Sequence, residues 1–170
     1  MKHHSLVLRT GAVVLVAAGL LACTTPLPPQ PPLPRPVPGV PTPPPQPQAT
    51  FARPAAGPTI ARFNGNTVKG IDIAGRAGEP ITASADGRVV IVSDALRAYG
   101  TMVIVKHNDT FLTAYAHLQN VLVKEDEVVR QGQTIAEMGS TGTDRVKLRF
   151  EIRKDGVAVD PEPYLSGRLR

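Results

Sequence analysis

The globular part of this sequence is predicted to be all-β, built from two packed antiparallel sheets. From residue 51 onward, short apolar or alternating segments are separated by turn pairs such as Asp86-Gly87 and Asp155-Gly156. Residues 147–153 alternate strictly between charged and apolar side chains, which is the pattern of a strand with one buried face. No segment of this part shows the periodicity of an amphipathic helix.

The chain begins with the features of an export signal. Lys2 and Arg9 precede an apolar run over residues 12–22, which is too short to span a bilayer comfortably. Small residues end this run immediately before Cys23, the only cysteine. Residues 1–22 are therefore interpreted as a lipoprotein signal peptide, and Cys23, in a context similar to a bacterial lipobox, as the lipidated first residue of the mature chain. Because there is no second cysteine, an intrachain disulfide is excluded.

Residues 23–50 are interpreted as the lipid-bearing cysteine followed by a proline-rich linker. Between residues 24 and 50 lie 13 of the 18 prolines, and proline both fixes φ and lacks a backbone donor. At about 3.1 Å per residue, a polyproline II segment of this length would reach roughly 80 Å. This proline-rich segment is interpreted as a spacer, in preference to a ligand that binds aromatic-lined grooves of another protein. Residues 51–67 are expected to be an extended lead-in to a domain over residues 68–166.

The domain over residues 68–166 is expected to contain seven strands separated by turns. Nearly continuous apolar runs over residues 89–92 and 102–105 indicate central strands, because strands buried on both faces lose the apolar–polar alternation. The predicted strands are residues 81–84, 88–93, 101–107, 111–117, 134–138, 147–153 and 157–159.

The net charge of +5 overstates how basic the domain is. From residue 51 onward, 16 Lys and Arg stand against 14 Asp and Glu, which leaves only +2. The high isoelectric point is therefore weak support for a nucleic-acid partner, and an export signal argues against one. No nucleic-acid partner is expected.

Three stretches carry a resemblance to a known family: residues 68–72 (Val-Lys-Gly-Ile-Asp), 114–118 (Ala-Tyr-Ala-His-Leu) and 147–153. In order and spacing they resemble the LytM (lysostaphin-like) zinc endopeptidases of bacterial cell walls, whose pattern is H-x-G-x-D, a Y-x-H-L-like segment, and H-x-H followed by Phe. Residues 70–74 and 138–143 are similar to the NlpD-type lipoproteins of this family, amidase activators with a degenerate LytM domain. The resemblance implies an antiparallel β-sandwich anchored in the outer membrane and facing the periplasm.

The family's metal and catalytic positions are largely replaced in this chain. In the family, zinc is held at the positions matching Val68, Asp72 and Arg149, and the two catalytic histidines match His117 and Lys147. Valine has no donor atom, arginine stays cationic, and lysine is normally protonated. The resemblance therefore implies that the zinc site is lost, that no cofactor is bound, and that the chain is not an enzyme.

The loss of zinc predicts a new partner for Asp72. A partly buried carboxylate is costly when unpaired, and Arg149 lies on the same strand face as Lys147, so Arg149 is expected to pair with Asp72. The alternative is two solvated charges that never meet. The domain's two histidines, His107 and His117, lie near opposite ends of a predicted hairpin, roughly 20 Å apart, so they cannot share a metal ion.

A groove that binds a partner is predicted from five residues: Asp72, Tyr99, His117, Lys147 and Arg149. Tyr99 is alternatively a packed turn aromatic, and His117 a hydrogen-bonded structural residue. The first functional hypothesis is a non-catalytic lipoprotein that activates a periplasmic N-acetylmuramoyl-L-alanine amidase in cell separation. The alternatives are a peptidoglycan-binding scaffold, with Lys147 and Arg149 on stem-peptide carboxylates, and a zinc-dependent peptidoglycan endopeptidase.

Overall fold

The computed structural model describes residues 50–169. In chain order, this part contains the strands β1 (Thr59–Ala61), β2 (Ile71–Ala74), β3 (Pro80–Thr82), β4 (Gly87–Ser93), β5 (Met102–Lys106), β6 (Phe111–Ala116), β7 (Leu118–Val121), β8 (Val128–Val129), β9 (Thr134–Met138), β10 (Lys147–Lys154) and β11 (Val157–Val159), and the helical turn α1 (Glu162–Leu165). None of the helical structure within residues 50–169 is long and apolar enough to cross a membrane. The predicted signal peptide, Cys23 and the proline-rich linker up to residue 49 lie outside the described residues.

The strands form two antiparallel sheets. Eight strands make the larger sheet, in which β1, β2, β10, β6, β5, β4 and β8 lie side by side in that order and β11 pairs with β10. The smaller sheet has three strands in the order β3, β9, β7. This arrangement confirms the predicted all-β class with two antiparallel sheets. Strand β10 lies between β2 and β6, so side chains from three parts of the sequence meet around it.

The sequence pattern does not predict the strands β1, β2, β7 and β8. Each has at most four residues, which is too few for an alternation to stand out. Strand β7 also follows β6 with only His117 between them, and no Gly or Pro marks the turn. His117 itself has φ 66°, the left-handed conformation that glycine usually adopts. The corner between the two sheets is therefore made by a histidine.

The hydrophobic core lies on the inner face of the larger sheet. Leu148, Phe150 and Ile152 of β10 are fully buried, as the alternation in the sequence predicts. Phe150 lies opposite Tyr115 of β6, with ring centroids 5.4 Å apart. The alternate residues of β10 consequently face the other side of the sheet, where the candidate site lies.

The first residues of the lead-in (residues 51–67) pack against the rest of the domain. Phe51 is buried, and its ring stands edge-on against the rings of Phe111 and Tyr164 at 5.4 and 6.0 Å. The backbone N–H of Ala52 donates to the carbonyl of Ser84 at 2.7 Å. The lead-in is thus joined both to strand β6 and to the C-terminal helical turn.

A chain of hydrogen bonds runs from His107 into the core. The Nδ1 atom of His107 lies 2.7 Å from the Asp86 carbonyl, which can only accept, so Nδ1 carries the proton. Burial lowers the pKa of His107, against the opposing influence of Asp86. In the neutral ring Nε2 then accepts from the Thr113 hydroxyl, 2.8 Å away. Thr113 also contacts the Tyr115 hydroxyl at 3.0 Å, and burial raises the pKa of Tyr115 to about 12.

The state of His107 predicts a pH dependence of stability. The ordinary pKa of histidine is 6.5, whereas the pKa values of His107 and His117 are lower in the folded chain, chiefly through burial. The unfolded state therefore binds more protons below pH 6.5, and stability is full above that pH and lost as the pH falls through the folded pKa values. We expect the free energy of unfolding, measured by urea titration, to decrease from pH 7 to pH 5.

Substitution distinguishes the contribution of the two histidines to this pH dependence from that of the carboxylates. His107→Gln and His117→Gln should each remove part of the decrease, and the double variant should be nearly flat, because carboxylates titrate below this range. A wild-type profile that is already flat between pH 7 and pH 5 would contradict the assignment of neutral buried rings.

Candidate functional site

The site is built on the outer face of β10. In the register of the sheet, Arg149 lies between Asp72 of β2 and Ala116 of β6. Lys147 is two residues earlier and Glu151 two residues later, so all three side chains of β10 share one face. Directly opposed residues on neighbouring strands have Cβ atoms about 5 Å apart, which is close enough for Arg149 and Asp72 to pair.

Asp72 receives two cations at once. The Lys147 Nζ donates to Oδ2 at 2.8 Å, and Arg149 donates through Nε to Oδ1 and through Nη2 to Oδ2. The side chains of Lys147 and Arg149 are 14% and 18% exposed, and that of Asp72 is 6% exposed. The predicted pairing of Arg149 with Asp72 is therefore present, and Lys147 joins it. We call these three residues the ion triad.

The electrostatics of the ion triad favour its charged form. Burial alone would raise the pKa of Asp72, but hydrogen bonds and charge from Arg149 and Lys147 outweigh it and lower the pKa. Burial likewise opposes the charge of Arg149, yet the hydrogen bond to Asp72 raises the pKa of that guanidinium. A fork of two N–H groups on one carboxylate is a strong, geometrically defined pair. Asp72 is thus held ionised by its neighbours.

A second buried carboxylate lies next to the ion triad. Glu151 is fully buried, and it accepts from Arg153 Nη2 at 2.9 Å and from the Tyr99 hydroxyl at 2.9 Å. Burial, followed by the contact with Glu151, raises the pKa of Tyr99. Because Ala114 lies opposite Glu151 in β6, only a small side chain borders the carboxylate that Tyr99 reaches. This contact joins the loop after β4 to the centre of the larger sheet.

His117 is oriented by the corner that it makes. Its backbone N–H donates to the Tyr99 carbonyl at 2.9 Å, and its Nδ1 lies 2.8 Å from the Thr141 carbonyl. Since a carbonyl only accepts, Nδ1 carries the proton and Nε2 of the neutral ring is left with a lone pair. Burial lowers the pKa of His117, and Lys147 and Arg149 lower it further.

Thr141 joins two loops, residues 97–101 and 139–143, beside the ring of His117. Its hydroxyl donates to the Leu118 carbonyl at 2.9 Å and accepts from the Thr101 backbone N–H at 3.0 Å. Gly100, with φ 59°, lies so close to Thr141 that an added Cβ would collide with the carbonyl of that residue. Close contacts therefore join residues 97–101 to residues 139–143 beside the predicted groove.

The structure brings together all five residues of the predicted groove. Three of them form the ion triad, and the backbone N–H of His117 donates to the carbonyl of Tyr99. Tyr99 helps to raise the pKa of Arg149, and Arg149 helps to lower the pKa of His117. Val68 is half-buried and precedes β2, and its backbone N–H donates to Asn64 Oδ1 at 2.9 Å. Sequence reasoning missed the roles of Glu151, Arg153 and Thr141. The alternation of residues 147–153 places Glu151 on the right face, but no local signal indicates its contact with Tyr99.

The residues present do not fit a zinc ion of the LytM type. Within residues 50–169, no three His, Cys, Asp or Glu side chains come together as a group that could hold a metal. The donor set itself is the stronger argument, because both oxygens of Asp72 accept hydrogen bonds from fixed cations. A zinc ion needs unprotonated donors, usually three from the protein at a catalytic site, and it would be repelled by a lysine and an arginine.

The contact between Tyr99 and Glu151 is expected to stabilise the loop after β4. Tyr99→Phe removes the donor to a buried carboxylate and should lower the free energy of unfolding by about 1 kcal/mol, measured by urea titration. Hydrogen exchange should also become faster at the backbone amides of residues 97–100. Tyr164→Phe is the matched control, since Tyr164 is buried and its ring packs against Phe51 and Phe111 instead of the loop after β4. Equal exchange rates in Tyr99→Phe and wild type would show that the hydroxyl does not hold this loop.

Comparison with known proteins finds one family for most of the domain. The model of peptidase family M23 matches residues 66–161. The NlpD/LppB homologue lipoprotein of Pseudomonas aeruginosa is 55% identical over 120 residues, covering 69% of this chain and 40% of the relative. The murein hydrolase activator NlpD of Escherichia coli is 51% identical over 124 residues, covering 71% of this chain and 32% of the relative.

A third relative and a solved structure extend the comparison. The outer membrane antigenic lipoprotein B of Haemophilus influenzae is 51% identical over 116 residues, covering 66% of this chain and 28% of the relative. The match therefore spans between 28% and 40% of the length of these three relatives. A zinc-containing peptidase from Vibrio cholerae has a similar structure, with a TM-score of 0.63 at 28% identity, over 66% of this chain and 39% of that one.

Proposed function

The chain belongs to peptidase family M23, and from that premise we propose that it activates a cell-wall hydrolase instead of cleaving peptidoglycan itself. The ion triad carries this proposal, because Lys147 and Arg149 donate hydrogen bonds to both oxygens of Asp72, the carboxylate that a zinc ion of the family would need. The relative from Escherichia coli, 51% identical, is named a murein hydrolase activator, and this name supports the same role.

We assign the partner as a periplasmic N-acetylmuramoyl-L-alanine amidase that acts in daughter-cell separation. Binding activates an enzyme only when the binder has a higher affinity for the active state than for the inhibited state. The groove of Asp72, Tyr99, His117, Lys147 and Arg149 is the contact surface in this proposal, and its walls are held rigid by Thr141 and Glu151. A rigid surface suits this role because little conformational freedom is lost on binding.

The proposed location follows from the N-terminal sequence and from the relatives. Cys23 would carry the lipid anchor in the outer membrane, and the proline-rich linker would let the domain reach the peptidoglycan at a distance of up to roughly 80 Å. Two relatives are named as a lipoprotein and as an outer membrane antigenic lipoprotein, and these names support the assignment. Cys23→Ala should release the protein from the membrane fraction on cell fractionation.

Release of dye from labelled sacculi tests the function directly. Candidate amidases, the purified chain, and both together are incubated with dye-labelled peptidoglycan. We expect no release by the chain alone and faster release by one amidase when the chain is present. Release by the chain alone, abolished by a chelator, would assign it as a zinc endopeptidase and overturn the proposal.

A peptidoglycan-binding scaffold is the second candidate, and the excess of cations in the groove favours it. Lys147 and Arg149 could donate charge-assisted hydrogen bonds to stem-peptide carboxylates. Co-sedimentation with sacculi in the absence of any amidase would support this function. Co-sedimentation that requires the amidase would support the activator.

A further inference from the structure

The outer face of β10 holds one more positive charge than its carboxylates neutralise. The ion triad has two cations and one carboxylate. Glu151 and Arg153 form a separate pair at 2.9 Å and cancel each other. His117 adds no charge because its pKa is lowered, first by burial and then by Lys147 and Arg149. The excess charge therefore lies on Lys147 and Arg149 and not on the rest of the groove.

The two cations also keep unused donors. Lysine has three N–H donors and arginine has five. Lys147 donates one of these hydrogen bonds to Asp72, and Arg149 donates to the same carboxylate through Nε and Nη2. Within residues 50–169, Arg149 Nη1 has no hydrogen-bond partner, and both side chains keep 14–18% exposure. The spare N–H groups can therefore reach a ligand from the groove.

The two cations are adjacent because they donate to the same atom, Oδ2 of Asp72. Their backbone positions are set by neighbouring β-ladder pairs on a central strand, Lys147 opposite Ala74 and Arg149 opposite Asp72. A pair of cations held in this way is preorganised, so a ligand anion would not have to pay for their ordering. In a partly buried site, an excess charge interacts more strongly with an anion than it does on an open surface.

From this arrangement we propose that Lys147 and Arg149 form a subsite for a carboxylate supplied by the binding partner. A carboxylate is planar and accepts two hydrogen bonds, which matches the combination of one ammonium and one guanidinium edge. The ligand neutralises the excess charge, and the groove then holds three cations and three carboxylates. The carboxylate comes from an acidic side chain of the hydrolase, because the groove is the proposed contact surface for that enzyme, and this choice rests on the proposed function. A stem-peptide carboxylate of peptidoglycan is the other outcome of the test.

An NMR titration tests the subsite without any hydrolase. The probes are N-acetylglutamate N-methylamide, whose only carboxylate is on the side chain, and its neutral isostere N-acetylglutamine N-methylamide, added to the purified full chain. We expect the glutamate probe alone to shift the amide signals of residues 147–149 and 72. Lys147→Met should weaken this binding about tenfold, since one charge-assisted hydrogen bond is lost, whereas Lys147→Arg should keep it. Lys106→Met is the matched control, because Lys106 is an exposed cation of β5 with its own partner, Asp109, at 3.0 Å.

The outcomes separate the subsite from the proposed function. Equal shifts with both probes, or equal weakening by Lys147→Met and Lys106→Met, would overturn the subsite even if the chain activates an amidase. Where the titration succeeds, the dye-release and sacculus assays identify the source. Lower amidase activation by Lys147→Met with unchanged sacculus binding assigns an acidic side chain of the hydrolase. Reduced sacculus binding with unchanged activation assigns the stem peptide.

Discussion

Asp72→Asn is expected to lower the free energy of unfolding by about 3 kcal/mol at pH 7, measured by urea titration. The substitution keeps the shape of the side chain but removes the charge that compensates Lys147 and Arg149. Both cations are held at low exposure on a central strand, so water replaces the lost carboxylate only in part. Loss of one member of a buried ion cluster is costly because it leaves the other charges unpaired.

Two further variants distinguish this explanation from a general effect of substitution. Asp144→Asn removes a carboxylate from an exposed ion pair with Arg145 and should leave stability unchanged. The triple variant Asp72→Asn, Lys147→Met, Arg149→Met removes all three charges and should recover most of the lost stability, since apolar side chains of similar size replace buried ion clusters well. Failure of the triple variant to exceed the single variant would contradict the charge explanation.

The same carboxylate predicts the acid side of the stability profile. The pKa of Asp72 is lowered in the folded chain from an ordinary value of 3.8. Its contribution to stability is therefore fully present above pH 3.8 and is lost as the pH falls through the folded pKa. Below about pH 4, the free energy of unfolding should therefore fall less steeply with decreasing pH in Asp72→Asn than in wild type. Above that pH the two slopes should be the same.

The ion triad could be predicted because a period-two pattern reports which side chains share a face. The alternation of residues 147–153 places Lys147 and Arg149 together, and the family resemblance places Asp72 beside them. The pattern does not report which loops cover that face. The hydrogen bond from Tyr99 to Glu151 joins residues 52 positions apart, and no local propensity encodes such a contact. Thr141 has the composition of a simple polar turn, and its role depends on two loops meeting in space.

His117 shows a different limit of sequence reasoning. Its family position indicates a catalytic histidine, and its sequence context indicates the end of a strand. The structure adds a positive φ and a hydrogen bond from Nδ1 to a backbone carbonyl. A histidine in this conformation is strained and is held there by its surroundings. The residue that would position water in an active family member here makes the corner between the two sheets, a role that requires its backbone conformation as well as its ring.

Restoring the family's donors is expected to create a zinc site. The variant Val68→His, Lys147→His, Arg149→His supplies two imidazoles as ligands in addition to Asp72, removes both cations, and places a neutral histidine at the former Lys147 position. We expect about one zinc per chain, measured by elemental analysis after dialysis against trace zinc, because three protein donors are sufficient for a catalytic-type site. Wild type under the same conditions should retain almost none.

A partial variant tests which residue excludes the metal. Val68→His with Lys147→His keeps Arg149, whose guanidinium still donates to both oxygens of Asp72. This variant should bind zinc weakly or not at all, although it contains more histidines than wild type, because a permanent cation occupies the carboxylate. Stoichiometric zinc in wild type, coordinated by Asp72, would instead mean that the cations move aside for the metal, and the non-catalytic function would then have to be abandoned. The proposed activator role requires that wild type bind no zinc at Asp72, and the partial variant tests whether Arg149 alone is enough to prevent that binding.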